Sequence, residues 1–292
     1  MFWRLKRMGS YMIILILLPY VITIFLNGPS VETSTDINDV IVKVKQDGED
    51  IELSLDEYCI GKLACEIPVT YKEEALKAQA VLVRTTVYGQ ILESGSGTTF
   101  SDDFFSSKEM KENWGEEYRT NYRKIKSAWD QTKGQVLIYG EKPAYVPFCR
   151  LTNGSTRDGK EVLGSDEYPY LKIKDCPLDI ESKEQIQTKT MEEMDAEVTE
   201  TDSAGYVKTV RVGEKQMSAE EFRTEYDLDS SCFTLQHYDG KLRIVTRGVG
   251  HGLGMSQYTA SRMAENGGTY EDILNYFFEG TEIKEVADIV KK

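Results

Sequence analysis

The first long pattern in the chain is unbroken rather than periodic. From Met8 to Val31 no side chain is charged, and Tyr11–Leu26 is almost wholly apolar. About 20 apolar residues cross a bilayer core, so residues 8–27 are expected to form a transmembrane helix. Pro19 lies mid-span, where lipid-embedded helices tolerate it better than soluble ones. Arg4, Lys6 and Arg7 precede the span, and Glu32, Asp36 and Asp39 follow it. That asymmetry keeps residues 1–7 cytoplasmic and exports the rest. The rival reading is a cleaved signal peptide. It would need small residues at a cleavage site, and Leu26-Asn27-Gly28-Pro29 is a poor one. Residues 28–40 are polar and aperiodic, a tether to a domain over 41–292.

Beyond the tether the periods shorten. Ile41–Lys45 and Ile51–Ser54 alternate apolar and polar about Asp47-Gly48, which predicts a hairpin. Leu55–Leu63 reads as a short helix broken at Pro68, and Thr70 with Glu73 forms a capping box for a long helix over Lys72–Leu92. Gly95–Thr99 reads as a loop, Asn121–Thr132 as a helix, and Gly134–Tyr139 and Tyr145–Phe148 as strands before a turn at Asn153-Gly154. Residues 178–204 are acidic and poor in apolar positions, an insertion or an exposed loop. Val207–Val212 and Leu242–Thr246 read as strands, Gly248–Gly254 as a glycine-rich turn, and Met255–Glu265 and Tyr270–Phe278 as helices. The expected fold class is α+β, built around the long capped helix with a substrate groove. No regular βαβ alternation and no repeat appears.

Charge narrows the function. The chain of 292 residues carries −14, and removing the three positive charges at Arg4, Lys6 and Arg7 leaves about −17 outside the membrane. Such a surface repels nucleic acid, which is excluded as a partner. An anionic polymer would need a local basic groove. Five cysteines (Cys59, Cys65, Cys149, Cys176 and Cys232) lie in the exported part, where thiols tend to pair and an odd number leaves one over. No Cys/His spacing typical of zinc occurs, so no cofactor is expected, although scattered residues could still build a zinc site.

Gly248-Val-Gly-His-Gly-Leu-Gly254 lacks a Walker lysine and the dinucleotide spacing, so it is a tight turn rather than a phosphate loop. Its glycines permit positive φ and close approach of another chain. His251 is either a positioned polar group or a histidine bonded within the turn. Glu66 sits among Cys65, Ile67 and Pro68. Desolvation there would favour a protonated carboxyl, as a general acid near neutral pH requires. A helix-end glutamate is the plainer reading. Lys77 and Arg84 are seven apart, two helical turns, and share a face. By spacing alone they are a solvated pair. Ala75, Ala78 and Ala80 permit close packing of that helix.

Taken together, these segments resemble a known family. Glu66-Ile-Pro followed by Glu74-Ala-Leu-Lys-Ala-Gln-Ala-Val-Leu-Val-Arg84-Thr resembles the opening motif of the SpoIID/LytB family. Gly250-His-Gly-Leu-Gly-Met-Ser-Gln-Tyr258, with Ala260 and Met263-Ala264, resembles its closing motif. Tyr168-Pro-Tyr-Leu-Lys172 and Asp175-Cys-Pro-Leu-Asp179 resemble its middle motif. The likeness runs from about Ile41 to Ile283. It implies a peptidoglycan lytic transglycosylase that cuts denuded glycan strands in septal wall remodelling during sporulation engulfment. Glu66 would be the catalytic acid and then base. Lys77, Arg84, Tyr170 and Lys172 would bind substrate, with His251, Ser256 and Gln257 of the closing motif beside them. Implied partners are the glycan strands, a peptidoglycan amidase and a membrane scaffold of the engulfment machinery. A glycan-binding module without activity, and a wall-lytic factor of vegetative growth or germination, are the alternatives. The retained Glu66, Lys77 and Arg84 speak against the first.

The chain departs from the family pattern at Phe148-Cys149-Arg150-Leu151, where relatives read Phe-His-Ser-Thr, and at Cys176, where they carry serine. The lost histidine weakens any carry-over of the zinc site of some relatives. Two coincident replacements by cysteine suggest a Cys149–Cys176 disulfide, the rival being zinc held by both and a third group. A Cys59–Cys65 bond would require the first helix to end before Cys65, since disulfide Cα atoms lie within about 7 Å.

Overall fold

The computed structural model describes residues 40–46, 48–94, 98–101 and 103–290. The expected span over 8–27, and Asp47 of the hairpin turn, lie outside them. Among the described residues no helix is long and apolar enough to cross a membrane.

The fold is mixed α+β with several small sheets and no repeat. Strand β1 (Ile41–Gln46) pairs antiparallel with β2 (Glu49–Ser54), Val42 facing Leu53 and Val44 facing Ile51. Only alternate residues of β1, Val42 and Val44, are buried, as its sequence alternation requires. Ser54 caps helix α1 (Leu55–Glu66), its hydroxyl accepting from the Glu57 amide. This helix continues through Cys65 to Glu66. Cys59 and Cys65 therefore share one helix with six-residue spacing, on opposite faces, and cannot bond.

Helix α2 (Glu73–Ser94) is the centre of the molecule. Leu76, Ala80, Val83 and Val87 enter one core with α1 and the hairpin. Ala75, Ala78, Val81 and Leu82 enter a second core. A helix apolar on both sides is a buried helix, and the expected alanines Ala75, Ala78 and Ala80 are fully covered. The start of α2 differs from expectation. Lys72 donates its amide to Ser261 Oγ, and the Glu73 carboxylate is taken by Gln131.

Strand β3 (Thr99–Phe100) adds to β1 in parallel. Helices α3 (Ser107–Trp114) and α4 (Tyr118–Gln131) close the first core with Met110, Ile125 and Trp129. Strand β4 (Gln135–Tyr139) pairs with β5 (Lys142–Pro143), the Ala144 amide still donating to the Leu137 carbonyl, and the chain runs on through 145–147 into the two-residue β6 (Phe148–Cys149).

The acidic stretch 178–204 contains two strands, β7 (Ile186–Glu192) and β8 (Ala196–Thr201). β8 pairs with β9 (Val207–Val212), which pairs with β10 (Lys215–Ser218). A short helix α5 (Ala219–Glu225) leads to β11 (Phe233–Tyr238) and β12 (Lys241–Arg247), the latter also paired with β7. The two sheets enclose a third core of Val210, Phe222, Phe233, Leu242 and Ile244. This unit is tied to the rest by the buried Arg157–Asp202 pair at 2.6 Å and by Arg157 donating to the His251 carbonyl.

The glycine-rich turn does what its composition foretold. At Gly254, φ is +77°, and a Cβ would lie 1.9 Å from the Pro147 carbonyl oxygen. That approach lets β13 (Met255–Ser256) lie parallel to β6. Ser256 then caps helix α6 (Gln257–Glu265), followed by α7 (Tyr270–Phe277) and β14 (Glu282–Glu285), which pairs with β4.

Candidate active site

Glu66 is the last residue of α1, and its side chain is 14% exposed. Both carboxylate oxygens are engaged. Oε1 faces the Lys62 ammonium at 3.0 Å, one helical turn back, and Oε2 accepts from the Gln79 amide at 2.9 Å. Lys62 is itself buried. Gln257, the first residue of α6, donates to the Glu66 carbonyl at 2.9 Å and to Gln79 Oε1 at 3.1 Å. Lys62 and Gln79 thus hold the carboxylate, and Gln257 ties the Glu66 main chain to Gln79.

Two cavities open on Glu66. One of about 520 Å³ is walled by Glu66 and Pro68, by Trp114, by Cys149 and Arg150, and by Arg223 and Gly250. The other, about 1200 Å³, is walled by Lys62, Glu66 and Gln90, by Tyr139, Tyr145, Tyr168 and Tyr170, and by His251.

Of the residues expected to bind substrate, four come near Glu66 or its network. Tyr170 lines the larger cavity and locks the chain beside it: Tyr145 donates its amide to the Tyr170 hydroxyl at 2.8 Å, and that hydroxyl donates to the Tyr145 carbonyl at 3.2 Å. His251 lines the same cavity and accepts from the Leu253 amide through Nδ1 at 3.0 Å, so the imidazole is neutral. Burial pushes its pKa below the ordinary value. Gln257 touches Glu66 directly. Ser256 is fully buried behind it and donates to Asp179.

Three others are elsewhere. Lys77 pairs with Glu74 at 2.6 Å and Glu73 at 3.9 Å. The Arg84 guanidinium is buried, donating to the carbonyls of Thr132, Trp129 and Gln135 and lying 3.7 Å above the Trp129 ring. Lys172 is exposed. None of the three lines either cavity. Helical phase explains the first two. At roughly 100° per residue, Lys77 and Arg84 sit about 160° and about 140° round α2 from Gln79, the residue that faces Glu66. They share a face, as their spacing demands, but it is the far face.

The sequence reading also missed residues. Lys62 lies four before Glu66, a spacing that juxtaposes side chains on a helix. Gln79 is a polar residue within an Ala/Val/Leu run, a signal for a buried partner. Asp179 closes the middle motif and is fully buried. It accepts from the Thr152 amide and hydroxyl, from Ser256 and from Thr259, at 2.6–2.8 Å. Burial raises its pKa against those donors.

The expected Cys149–Cys176 disulfide is not formed. Both thiols are free and buried, as is Cys232. Burial pushes the Cys176 thiol up to about 12, and Cys149 well above its usual range. Zinc fits no better. Among the described residues no three His, Cys, Asp or Glu side chains cluster as metal ligands.

Comparison with known proteins gives this geometry a context. Residues 48–139 match the SpoIID family profile, described as stage II sporulation protein. Stage II sporulation protein D of Bacillus subtilis (strain 168) is 32% identical over 265 residues, covering 82% of this chain and 77% of that protein. The protein of the same name from Bacillus amyloliquefaciens is 31% identical over the same length. The amidase enhancer of Bacillus subtilis (strain 168) is 26% identical over 292 residues, covering 76% of this chain and 40% of that protein. Identity at this level across most of both chains, with Lys62, Glu66 and Gln79 inside the profile match, means that the chain belongs to the stage II sporulation protein D family.

Proposed function

We propose that this protein is a membrane-anchored lytic transglycosylase, cleaving the bond between N-acetylmuramic acid and N-acetylglucosamine in peptide-free glycan strands. The setting is septal wall remodelling in sporulation. The observation that carries this reading is a single carboxylate, Glu66, held by two fixed donors where two cavities meet. One carboxyl suffices for this chemistry. Glu66 gives its proton to the glycosidic oxygen as the C1–O4 bond breaks. It then takes the proton of the C6 hydroxyl, whose oxygen closes on C1 to leave a 1,6-anhydro end. No water is consumed, so the second carboxylate of ordinary glycosidases has no role. The fixed charges that Glu66 meets are the Lys62 ammonium at 3.0 Å and the C-terminal end of α1.

The relative named amidase enhancer supports a partnership with an amidase, which would strip stem peptides from the glycan before it enters. The uncharged span 8–27 supports a single-pass protein with its N-terminus in the cytoplasm. The test is Glu66→Gln, which keeps the shape and removes the titrating proton. On denuded glycan, the wild type should release anhydro-ended fragments detectable by mass spectrometry. The variant should be slower by at least about 10²-fold, the lower range of what acid–base catalysis supplies. A variant within about tenfold of wild type would remove Glu66 from the chemistry.

A further inference from the structure

The two cavities that share Glu66 have opposite chemistry. In the smaller one, Arg150 and Arg223 are the cations and Glu66 is the sole acidic wall residue. Both arginines are held in place. Arg150 makes two parallel bonds to Glu184, at 2.8 and 2.9 Å, and Arg223 donates to the Leu228 carbonyl and to Glu220, both at 3.2 Å. Their side chains are 43% and 30% exposed, so each can still reach a ligand in the cavity. A guanidinium fixed beforehand loses little freedom when a carboxylate docks on it.

The larger cavity is lined by Glu93, Asp103 and Glu167 besides Glu66, against Lys62 and Lys142, a balance that repels a carboxylate. It offers an aromatic surface instead. Tyr145 is 46% exposed and packs against Tyr168, with ring centres 5.2 Å apart. Tyr168 stands edge-on to Tyr170 at 6.4 Å. The Tyr170 hydroxyl fixes the Tyr145 backbone through both its amide and its carbonyl. A large ring half in water on a rigid mount is a platform for an apolar sugar face, because aromatic area favours such contacts while the phenol stays wet.

We propose that this contrast fixes the direction of the glycan. The carboxylated sugar lies against Arg150 and Arg223, and the uncharged sugar stacks on Tyr145 and Tyr168. The inference rests on the substrate class proposed above. In that polymer, muramyl sugars bearing a lactyl carboxylate alternate with neutral N-acetylglucosamine, and the bond cut has the muramyl sugar on its C1 side. The arginine cavity is therefore where the anhydro ring closes, and the tyrosine cavity receives the departing 4-hydroxyl.

The test uses the full-length protein in detergent, carrying Glu66→Gln to stop turnover. Two probes are titrated calorimetrically: a tetrasaccharide of N-acetylglucosamine alone, and a peptide-free tetrasaccharide alternating with muramic acid. Arg223→Gln and Arg150→Gln should each weaken the muramyl probe about tenfold, the loss expected for a charge-assisted hydrogen bond, and leave the neutral probe within about twofold. Tyr145→Ala and Tyr168→Ala should weaken both probes, by roughly three- to tenfold, the scale of an aromatic contact. Equal effects of the arginine variants on both probes, no effect of any variant, or tyrosine effects confined to the muramyl probe would overturn the proposal. Thermal melts check each variant, and Arg223→Met and Tyr145→Leu replace any that do not fold. If the expected pattern holds while the unsubstituted protein cuts neither probe nor denuded glycan, the cleavage reading fails and the binding direction stands.

Discussion

Arg84 separates a substrate-binding role from a structural one. Its guanidinium is 3% exposed and donates to three main-chain carbonyls, Thr132 at 2.7 Å, Trp129 at 3.1 Å and Gln135 at 3.2 Å. Two of these lie at the end of α4, where the last carbonyls have no partner within the helix. Replacing Arg84 by alanine strips all three and removes the cation from the Trp129 ring. Hydrogen bonds to charged groups contribute about 1.5–3 kcal/mol each. Bonds sharing one guanidinium are not additive, and losing one side of a buried charged contact typically costs about 3–5 kcal/mol. A loss of about 4 kcal/mol is expected. In a domain of this size each kcal/mol lowers Tm by roughly 2–4 °C, so calorimetry should find Tm lower by about 8–16 °C. Arg84→Lys should recover only part of it, because an ammonium cannot reproduce the fork. Assayed well below both transitions, kcat/KM per folded molecule should stay within about threefold of wild type, since Arg84 lines neither cavity at Glu66. A variant with unchanged Tm and activity reduced more than about 100-fold would refute this placement. Burial lowers the Arg84 pKa to about 10, which leaves it charged at neutral pH.

Lys62→Met removes the ammonium 3.0 Å from Glu66. The alkaline limb of the pH–rate profile should then move to higher pH, because the protonated acid is no longer opposed by a neighbouring cation; an unmoved limb with merely slower turnover would make Lys62 a packing residue. Asp179→Asn tests the sign of a buried charge. The native carboxyl is raised above its ordinary value of 3.8, chiefly by burial, so between that value and its native one the folded state binds more protons than the unfolded chain. This group's contribution to stability therefore falls as pH rises through the window. Urea denaturation should show the variant gaining on wild type from about pH 3.5 upward until the native carboxyl is fully ionised; a variant that loses ground as pH rises would reverse the sign.

Much of the fold was legible where one physical signal dominates. The β1–β2 hairpin followed from alternation, and the helix α4 and strands β9 and β12 from their periods. The turn at Gly254 followed from the need for positive φ beside another chain. The β7–β8 region was not legible for a related reason. Most residues of Ile186–Glu192 and of Ala196–Thr201 point at least partly to water. An edge strand with so little to bury reads as loop, although Ala196 and the partners of β8 complete a core. Tyr145–Phe148 looked like a strand from its apolar residues, but only Phe148 and Cys149 find a ladder, with Met255 and Ser256.

The site divides along the same line. Residue type alone left Glu66 a helix-end glutamate; the likeness of the opening motif singled it out, and the closing motif supplied Gln257. The orientation of α2 could not be read from spacing, because Lys77 and Arg84 define a shared face without saying what it meets. Gln79 supplies the answer: a fully buried amide bonded to Glu66 and Gln257 fixes which side of the helix looks at the carboxylate. With that phase set, the basic residues needed within an acidic body must come from elsewhere. Lys77 is neutralised by Glu73 and Glu74, and Arg84 is consumed by main-chain carbonyls. The cations that line the cavities at Glu66 are Lys62, Lys142, Arg150 and Arg223, the two arginines half in water although paired with Glu184 and Glu220. Local charge at such a site is a product of topology. A net charge of −14 sets what the surface repels, and the packing of a few helices and turns sets what the cavities can hold.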